Sequence, residues 1–515
     1  LASNVEIGYL TSGDIPPAAE GINLDSNASQ TYQIQVMNNS SSTTTINLGV
    51  SVGLDYNDLS LPNDGHLLEG TQPTVAETLL AGVGENGSIN TSDPDQTFIT
   101  GEEPNNYIWY SGKLWRAVSI DPDDNSVKLV TQWNISAIPY NESGNTAFEG
   151  SYMEQWLNDT SVDGFLGNLR DYENFIKTDS VWNATLTTAT TKPAETTTVE
   201  DTVGLLNIYE YTMSYSGTTY QNGYLNNGLF WWLLTPYSSS SVRTVNSYGG
   251  ANNIYSPTYA YGVRPSINLK SSVKIVSGDG SENNPYRLEG DNDSNVNGIL
   301  LNTRYSGEYI KFGTGENTLY RIVSHETKGL TKITSAEALK SGGSFITSAF
   351  DSGRNVNYSS SNTIGAFLNG EYLTSYVGSS YRNMIEPSTT WYLGTVGNGA
   401  SYRLAKYSSA TGNDLTTNTT TAQVGLLRLG ELMSGQFERY AIKGGSSSTG
   451  FTTNYWTLTP YSTSYVRRVS NNGDANNYSP TTAYGVRPSI NLKSSVMITG
   501  GSGTKSDPFV LSLGS

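Results

Sequence analysis

Residues 232–246 read WLLTPYSSSSVRTVN, and residues 456–470 read WTLTPYSTSYVRRVS. Downstream of each, the run AYGVRPSINLKSSV occurs unchanged, from Ala260 to Val273 and again from Ala483 to Val496. Trp232 therefore pairs with Trp456, Pro236 with Pro460, Arg264 with Arg487 and Pro265 with Pro488. Each copy closes similarly, with GDGSENNPYRL at 278–288 and GSGTKSDPFVL at 501–511. Upstream, weaker echoes keep the same order. KLWRAVSI (113–120) matches TLYRIVSH (318–325), MEQWLND (153–159) loosely matches GAFLNGE (365–371), and VGLLNIYEYTM (203–213) matches VGLLRLGELM (424–433). So many blocks in one order mean duplication of a whole domain. Solenoids stack several short units, so two long copies predict two globular domains.

The first copy runs from about Phe98 to Gly290 and the second from Ile299 to Ser515, with the polar residues 291–298 between them as a linker. Residues 1–97 have no counterpart and form a separate N-terminal module. There TYQIQV (31–36) and INLGVSVGL (46–54) alternate apolar and polar residues, the period of half-buried strands. An all-β, sandwich-like stalk is expected, with a first strand near Val5–Leu10. In the repeats, LWRAVSI and SVKLVTQW read as strands, and helices are predicted over Tyr152–Leu157 and Val203–Met213. The expected fold class is thus mixed, an N-terminal β domain followed by two tandem α+β domains.

Hydrophobic residues make up only 36% of the 515 and charged residues 15%, yet there are 35 Tyr, 12 Phe and 9 Trp. Disordered chains are poor in aromatics, so this one is read as folded, with a polar, weakly charged surface. There is no Cys, which excludes thiol catalysis, disulfides and cysteine metal sites. A net charge of −17 repels nucleic acid and anionic membranes. No apolar run is long enough to span a bilayer. The chain begins at Leu1 rather than Met, and the reading is of an exported protein whose leader is removed.

The pattern W-x-L-x-[ST]-P, a V-x-x-V strand, a Gly/Asn-rich loop and G-V-R-P resembles the C-type-lectin-like fold. The version is that of Gram-positive surface proteins and formylglycine-generating-enzyme relatives. The resemblance implies two tandem C-type-lectin-like domains, rigid scaffolds that display a loop surface for recognition. By position, the implied ligand-binding residues are Ser239, Ser241, Arg243, Asn246, Tyr248, Asn252, Asn253 and Tyr255 in the first copy. In the second they are Thr463, Tyr465, Arg467, Ser470, Asn472, Asp474, Asn476 and Tyr478. Tyr supplies contact area at low entropic cost, and Ser and Asn supply adaptable hydrogen bonds. The same composition also describes an inert loop.

Catalysis is not expected. Cysteine-dependent relatives need residues that are missing, and His66 and His325 fall in different modules. No HExxH, GxSxG or phosphate-loop pattern occurs. Trp232, Pro236, Arg264, Pro265, Trp456, Pro460, Arg487 and Pro488 are expected to be structural, the arginines sitting in buried pairs that lock a strand to a loop. No cofactor is expected. The acidic stretches DPDD (121–124), SGDGSE (277–282) and EGDND (289–293) read as solvated turns, with calcium as the alternative. Sequons at Asn27, Asn39 and Asn134 leave glycosylation open. Two functions stay open: an extracellular, cell-surface adhesin whose paired modules bind glycan or protein, and a filament or pilus subunit that binds copies of itself through its N-terminal strand.

Overall fold

A computed structural model describes residues 3–5, 22–24, 53–54, 72–161, 164–215, 217, 219–251, 253–291, 296–394, 418–433, 453–471 and 475–514. The chain divides into two units, Leu1–Gln72 and Pro73–Ser515. In the first, Ser3–Val5 is the central strand of an antiparallel trio, flanked by Ile22–Leu24 and Gly53–Leu54. Most of the expected strands at 31–36 and 46–54, and Glu6–Leu10, lie outside the described residues, as do His66, Asn27 and Asn39.

The repeat body starts at Pro73, not at Phe98. The helix Val75–Ala81 begins at a capping box, Thr74 with Glu77, and buries Val75, Ala76 and Leu79. Its start is tied to the first repeat by Val75 N–H donating to Val273 O at 3.0 Å. The hairpin Gly87–Asn90 with Thr97–Gly101 then adds to the strand Lys113–Ile120. Internal alignment could not place this segment, because its counterpart in the second copy shares position but not sequence: Ile498 N–H donates to Ile299 O as Ile275 N–H donates to Pro73 O, each at 2.9 Å.

The body is predominantly β, and its two repeats share one topology. In the first, one sheet orders Val203–Gly204, Ser266–Leu269, Val127–Thr131, Lys113–Ile120 and Tyr107–Tyr110. The corresponding sheet of the second orders Val424–Gly425, Ser489–Leu492, Thr331–Ser335, Leu319–Ser324 and Tyr309–Lys311. A second sheet orders Asn253–Tyr255, Ser241–Val245, Trp231–Ser238, Ala260–Val263 and Ser136–Pro139, matched by Ala475–Tyr478, Val466–Val469, Tyr455–Pro460, Ala483–Gly485 and Thr347–Ala349. Every residue of KLWRAVSI is buried, as its central place between neighbouring strands requires.

The helices are short. Tyr152–Leu157 is helical as predicted, capped by Ser151 and burying Tyr152, Met153, Trp156 and Leu157. Over 203–213 only Ile208–Thr212 is helical. Val203 and Gly204 instead pair with Ile267 and Ser266 as a strand. Asn207 then caps the helix reciprocally with Glu210, and this capping box sets the later start.

The same internal devices recur in both copies. Lys128 is paired with Glu210 beneath the Trp182 ring. Lys332 lies 2.6 Å from Glu431 beneath Trp391, with Glu326 and Arg428 completing a buried network. The partners are almost wholly buried, so removing one would strand a charge. Asn158 accepts from Val203 N–H (2.9 Å) and donates to Val203 O (3.0 Å). Asn369 does the same to Val424, at 2.9 and 3.1 Å.

The repeats are not beads on a free linker. Asp291 is buried and accepts from Ser111 N–H, and Val296 is also buried. One apolar cluster contains Leu427, Leu429, Leu432, Met433 and Tyr455 of the second repeat together with the core of the first. Tyr107, Trp109 and Leu114 pack with Tyr309 in another. Arg321 donates to Gly112 O, and Ser136 Oγ donates to Met433 O at 2.5 Å. Gly112 and Gly307 meet back to back: a Cβ on Gly112 would stand 2.3 Å from Ser306 O, and one on Gly307 would stand 2.1 Å from Gly112 O. At this junction a cleft of about 390 Å³ is lined by Trp109, Leu114, Pro285 and Tyr309 among others.

Candidate functional site

The Trp-Pro and Arg-Pro segments lie inside. Trp232 and Trp456 are buried, and each indole donates to a backbone carbonyl, Ile138 O at 3.1 Å and Ser348 O at 3.0 Å. Pro236, Pro265, Pro460 and Pro488 are buried too. Arg264 donates to Thr131 O (2.7 Å) and Leu225 O (2.6 Å) above the Trp231 ring. Arg487 donates to Ser335 O (2.7 Å) and Ala336 O (3.0 Å). The partners in these contacts are carbonyls rather than carboxylates. Burial lowers the Arg487 pKa from its ordinary value.

The loop candidates divide. Arg243, only 1% exposed, donates to Thr188 O (2.6 Å), Ala189 O (3.2 Å) and Ala251 O (3.2 Å) under the Tyr237 ring. Arg467, equally buried, lies over Tyr461 at 4.5 Å, and Ser470 is buried as well. These three serve the interior, which corrects their place among surface residues. A guanidinium on a strand could have pointed to either face, and the strand pairing turns it inward. Asn246 is half-buried and shapes a turn, its Oδ1 accepting from Tyr248 and Gly250 N–H. Ser239, Thr463 and Asn476 are exposed and Ser241 partly so. Tyr248 is 81% exposed, Tyr478 46% and Tyr465 44%. Asn252, Asn472 and Asp474, with the Asn253 side chain, lie outside the described residues.

The tertiary structure gathers an aromatic face around Tyr255 that the linear pattern did not reveal. The ring of Tyr261 lies 4.7 Å from that of Tyr255 and is stacked on Phe230 at 5.7 Å. Tyr259, 55% exposed, sits 6.2 Å from Tyr255. Buried Trp232 supports Tyr261 from below at 5.3 Å. The second repeat rebuilds this face from Tyr478 and Tyr484, 5.6 Å apart, with Trp456 beneath Tyr484 at 5.1 Å. The connecting turn is the same in both: Ser256 bonds Thr258, and Ser479 bonds Thr481, each at 3.0 Å. The available signal was YSPTYAY against YSPTTAY, aromatic residues spaced so that one short turn brings them together.

Acidic groups are used locally. Asp121, Asp124 and Asp279 accept backbone N–H groups two residues on, as turn formers do. Among the described residues no group of three or more His, Cys, Asp or Glu is poised to hold a metal ion. His325 is fixed between Leu330 O and Arg304 O. Asn134 is buried with its amide on Phe230 O, so that sequon is closed to a glycan in the folded chain. One carboxyl pair is unusual. Burial, then the charge of Glu154, pushes Asp201 up to about 7, and burial raises Glu154 as well. The second repeat has Gly365 and Ala422 at the two equivalent positions.

No described helix is long and apolar enough to cross a membrane. The family described as "Domain of unknown function (DUF6273)" matches residues 124–271 and 344–494. No curated protein matches the chain, and neither does any solved structure.

Proposed function

Because the chain belongs to the DUF6273 family, carrying its domain twice, we propose that it is a non-catalytic binding protein presenting one aromatic face per repeat to a glycan. One observation carries this reading. The face is rebuilt in the second copy from the same strand positions and the same buried Trp support, yet its exposed residues differ between copies. A scaffold kept constant under a changing rim is the arrangement of a recognition surface. Exposed Tyr rings stack on the apolar faces of sugars while their hydroxyls reach ring substituents.

The lectin-like resemblance of the Trp-Pro and Arg-Pro block agrees with a rigid display scaffold. A cysteine-free, strongly acidic, tyrosine-rich composition fits a location at or outside the cell surface, as in an adhesin. The second reading is a filament subunit that donates an N-terminal strand near Val5–Leu10 to a neighbouring copy.

The test is a glycan array probed with the whole chain, followed by titration of the best ligand against Tyr255→Ala and Tyr259→Ala. Binding that falls about tenfold at an unchanged melting temperature supports the assignment. Variants that bind as well as the parent, or an array with no retained glycan, count against it.

A further inference from the structure

The two faces differ at a strand position that is charged in only one of them. Thr244 of the first repeat corresponds to Arg468 of the second, and Phe230 corresponds to Asn454. Where the Phe230 ring stacks on Tyr261 in the first copy, the Arg468 guanidinium lies over Tyr484 at 4.7 Å and over Tyr478 at 5.5 Å in the second. Asn454, the residue that replaces the phenyl ring, holds Arg468 Nη1 through its Oδ1 at 2.6 Å. The cation is thus aimed by a side chain and lies against two rings, and it is only partly buried.

Its electrostatic setting differs from that of the arginines that meet a carboxylate or are capped by carbonyls. Arg116, Arg304 and Arg428 each meet a carboxylate, and Arg264 and Arg487 are capped by backbone carbonyls. Among the described residues Arg468 has no ion pair, and its Nε is buried without a hydrogen-bond partner. A partly desolvated cation costs free energy that an anion recovers more fully than an amide oxygen and two ring faces do. A guanidinium N–H donates a charge-assisted hydrogen bond to a carboxylate, while the half-exposed Tyr478 ring beside it offers a platform for a sugar ring.

We propose that the second repeat binds an acidic glycan of the uronic-acid class, with the sugar carboxylate on Arg468 and the ring against Tyr478. The first repeat, with Phe230, Tyr255, Tyr259 and Tyr261 and no cation on its face, takes neutral saccharide. The chain therefore reads two different sugars with one duplicated scaffold.

The inference rests on the glycan-binding reading, and titration calorimetry on the whole chain separates the two. The probes are trigalacturonate, its methyl ester, which keeps the ring and removes the charge, and the neutral oligosaccharide that the array returns for the first face. Trigalacturonate is expected to bind, and to bind about tenfold or more weakly as the methyl ester or to Arg468→Gln. Tyr255→Ala leaves its affinity unchanged. Equal affinity for acid and ester, or for wild type and Arg468→Gln at the same melting temperature, overturns the inference. If trigalacturonate fails to bind while a neutral oligosaccharide binds and is lost in Tyr255→Ala, the charge assignment falls and the glycan reading stands. If no saccharide binds, both fall.

Discussion

At the residue scale, burial decides what each polar side chain does. Arg243 and Arg468 are both strand arginines in the loop-bearing half of a repeat, yet one caps carbonyls inside and the other lies partly buried against two tyrosines. Residue type alone could not separate them, because the choice depends on which face of the strand is turned to the core. The raised Asp201 carboxyl gives a measurable consequence. A carboxyl whose folded pKa lies above its ordinary value holds its proton more tightly in the folded state. Its stabilising contribution is complete below the ordinary carboxyl range and is lost as pH rises toward about 7. Asp291, pushed up to about 6 by burial, acts in the same direction. The melting temperature should fall between pH 5 and pH 8, and Asp201→Asn should flatten that fall. Identical slopes for parent and variant would show that the Glu154–Asp201 pair is not coupled to folding.

At the element scale, short strands are held by side chains as much as by ladders. Val203–Gly204 and Val424–Gly425 are two-residue strands, too short to persist alone, and Asn158 or Asn369 clamps each by both its N–H and its C=O. Gly204 and Gly425 let these strands approach the Trp182 and Trp391 rings, where a Cβ would fall within 2.3 and 2.8 Å. Asn158→Ala leaves two buried backbone groups unpaired and should cost about 1–3 kcal/mol in urea unfolding. An unchanged midpoint would mean that water replaces the amide. The helix prediction over 203–213 overran for this reason: Leu205, Ile208, Tyr209 and Thr212 have helical spacing, but Val203 and Gly204 before them are drawn into the sheet by pairing with Ile267 and Ser266.

At the scale of the whole molecule, the two repeats share apolar clusters and meet at Gly112 and Gly307, so the body should unfold as a unit. Gly112→Val, which sets a side chain against Ser306 O, is expected to split a single calorimetric transition into two. A single, unshifted transition would mean that the junction does not couple the repeats. Much of this architecture was legible in the chain itself, because a duplicated domain supplies its own alignment. That alignment found the matching strands, the loose Asn158–Asn369 pairing and the buried Trp-Pro and Arg-Pro segments. It could not find the start at Pro73, whose counterpart Ile299 holds the same place with a different sequence, nor the docking of the repeats, since a polar stretch such as 289–298 reads as linker until a buried partner takes Asp291. Periodicity and repetition are local properties, and by themselves they determined a β-rich domain built twice. The aromatic faces, the inward turn of Arg243 and the setting of Arg468 against two tyrosine rings were decided only in three dimensions, because they depend on contacts between separate strands of the sheet.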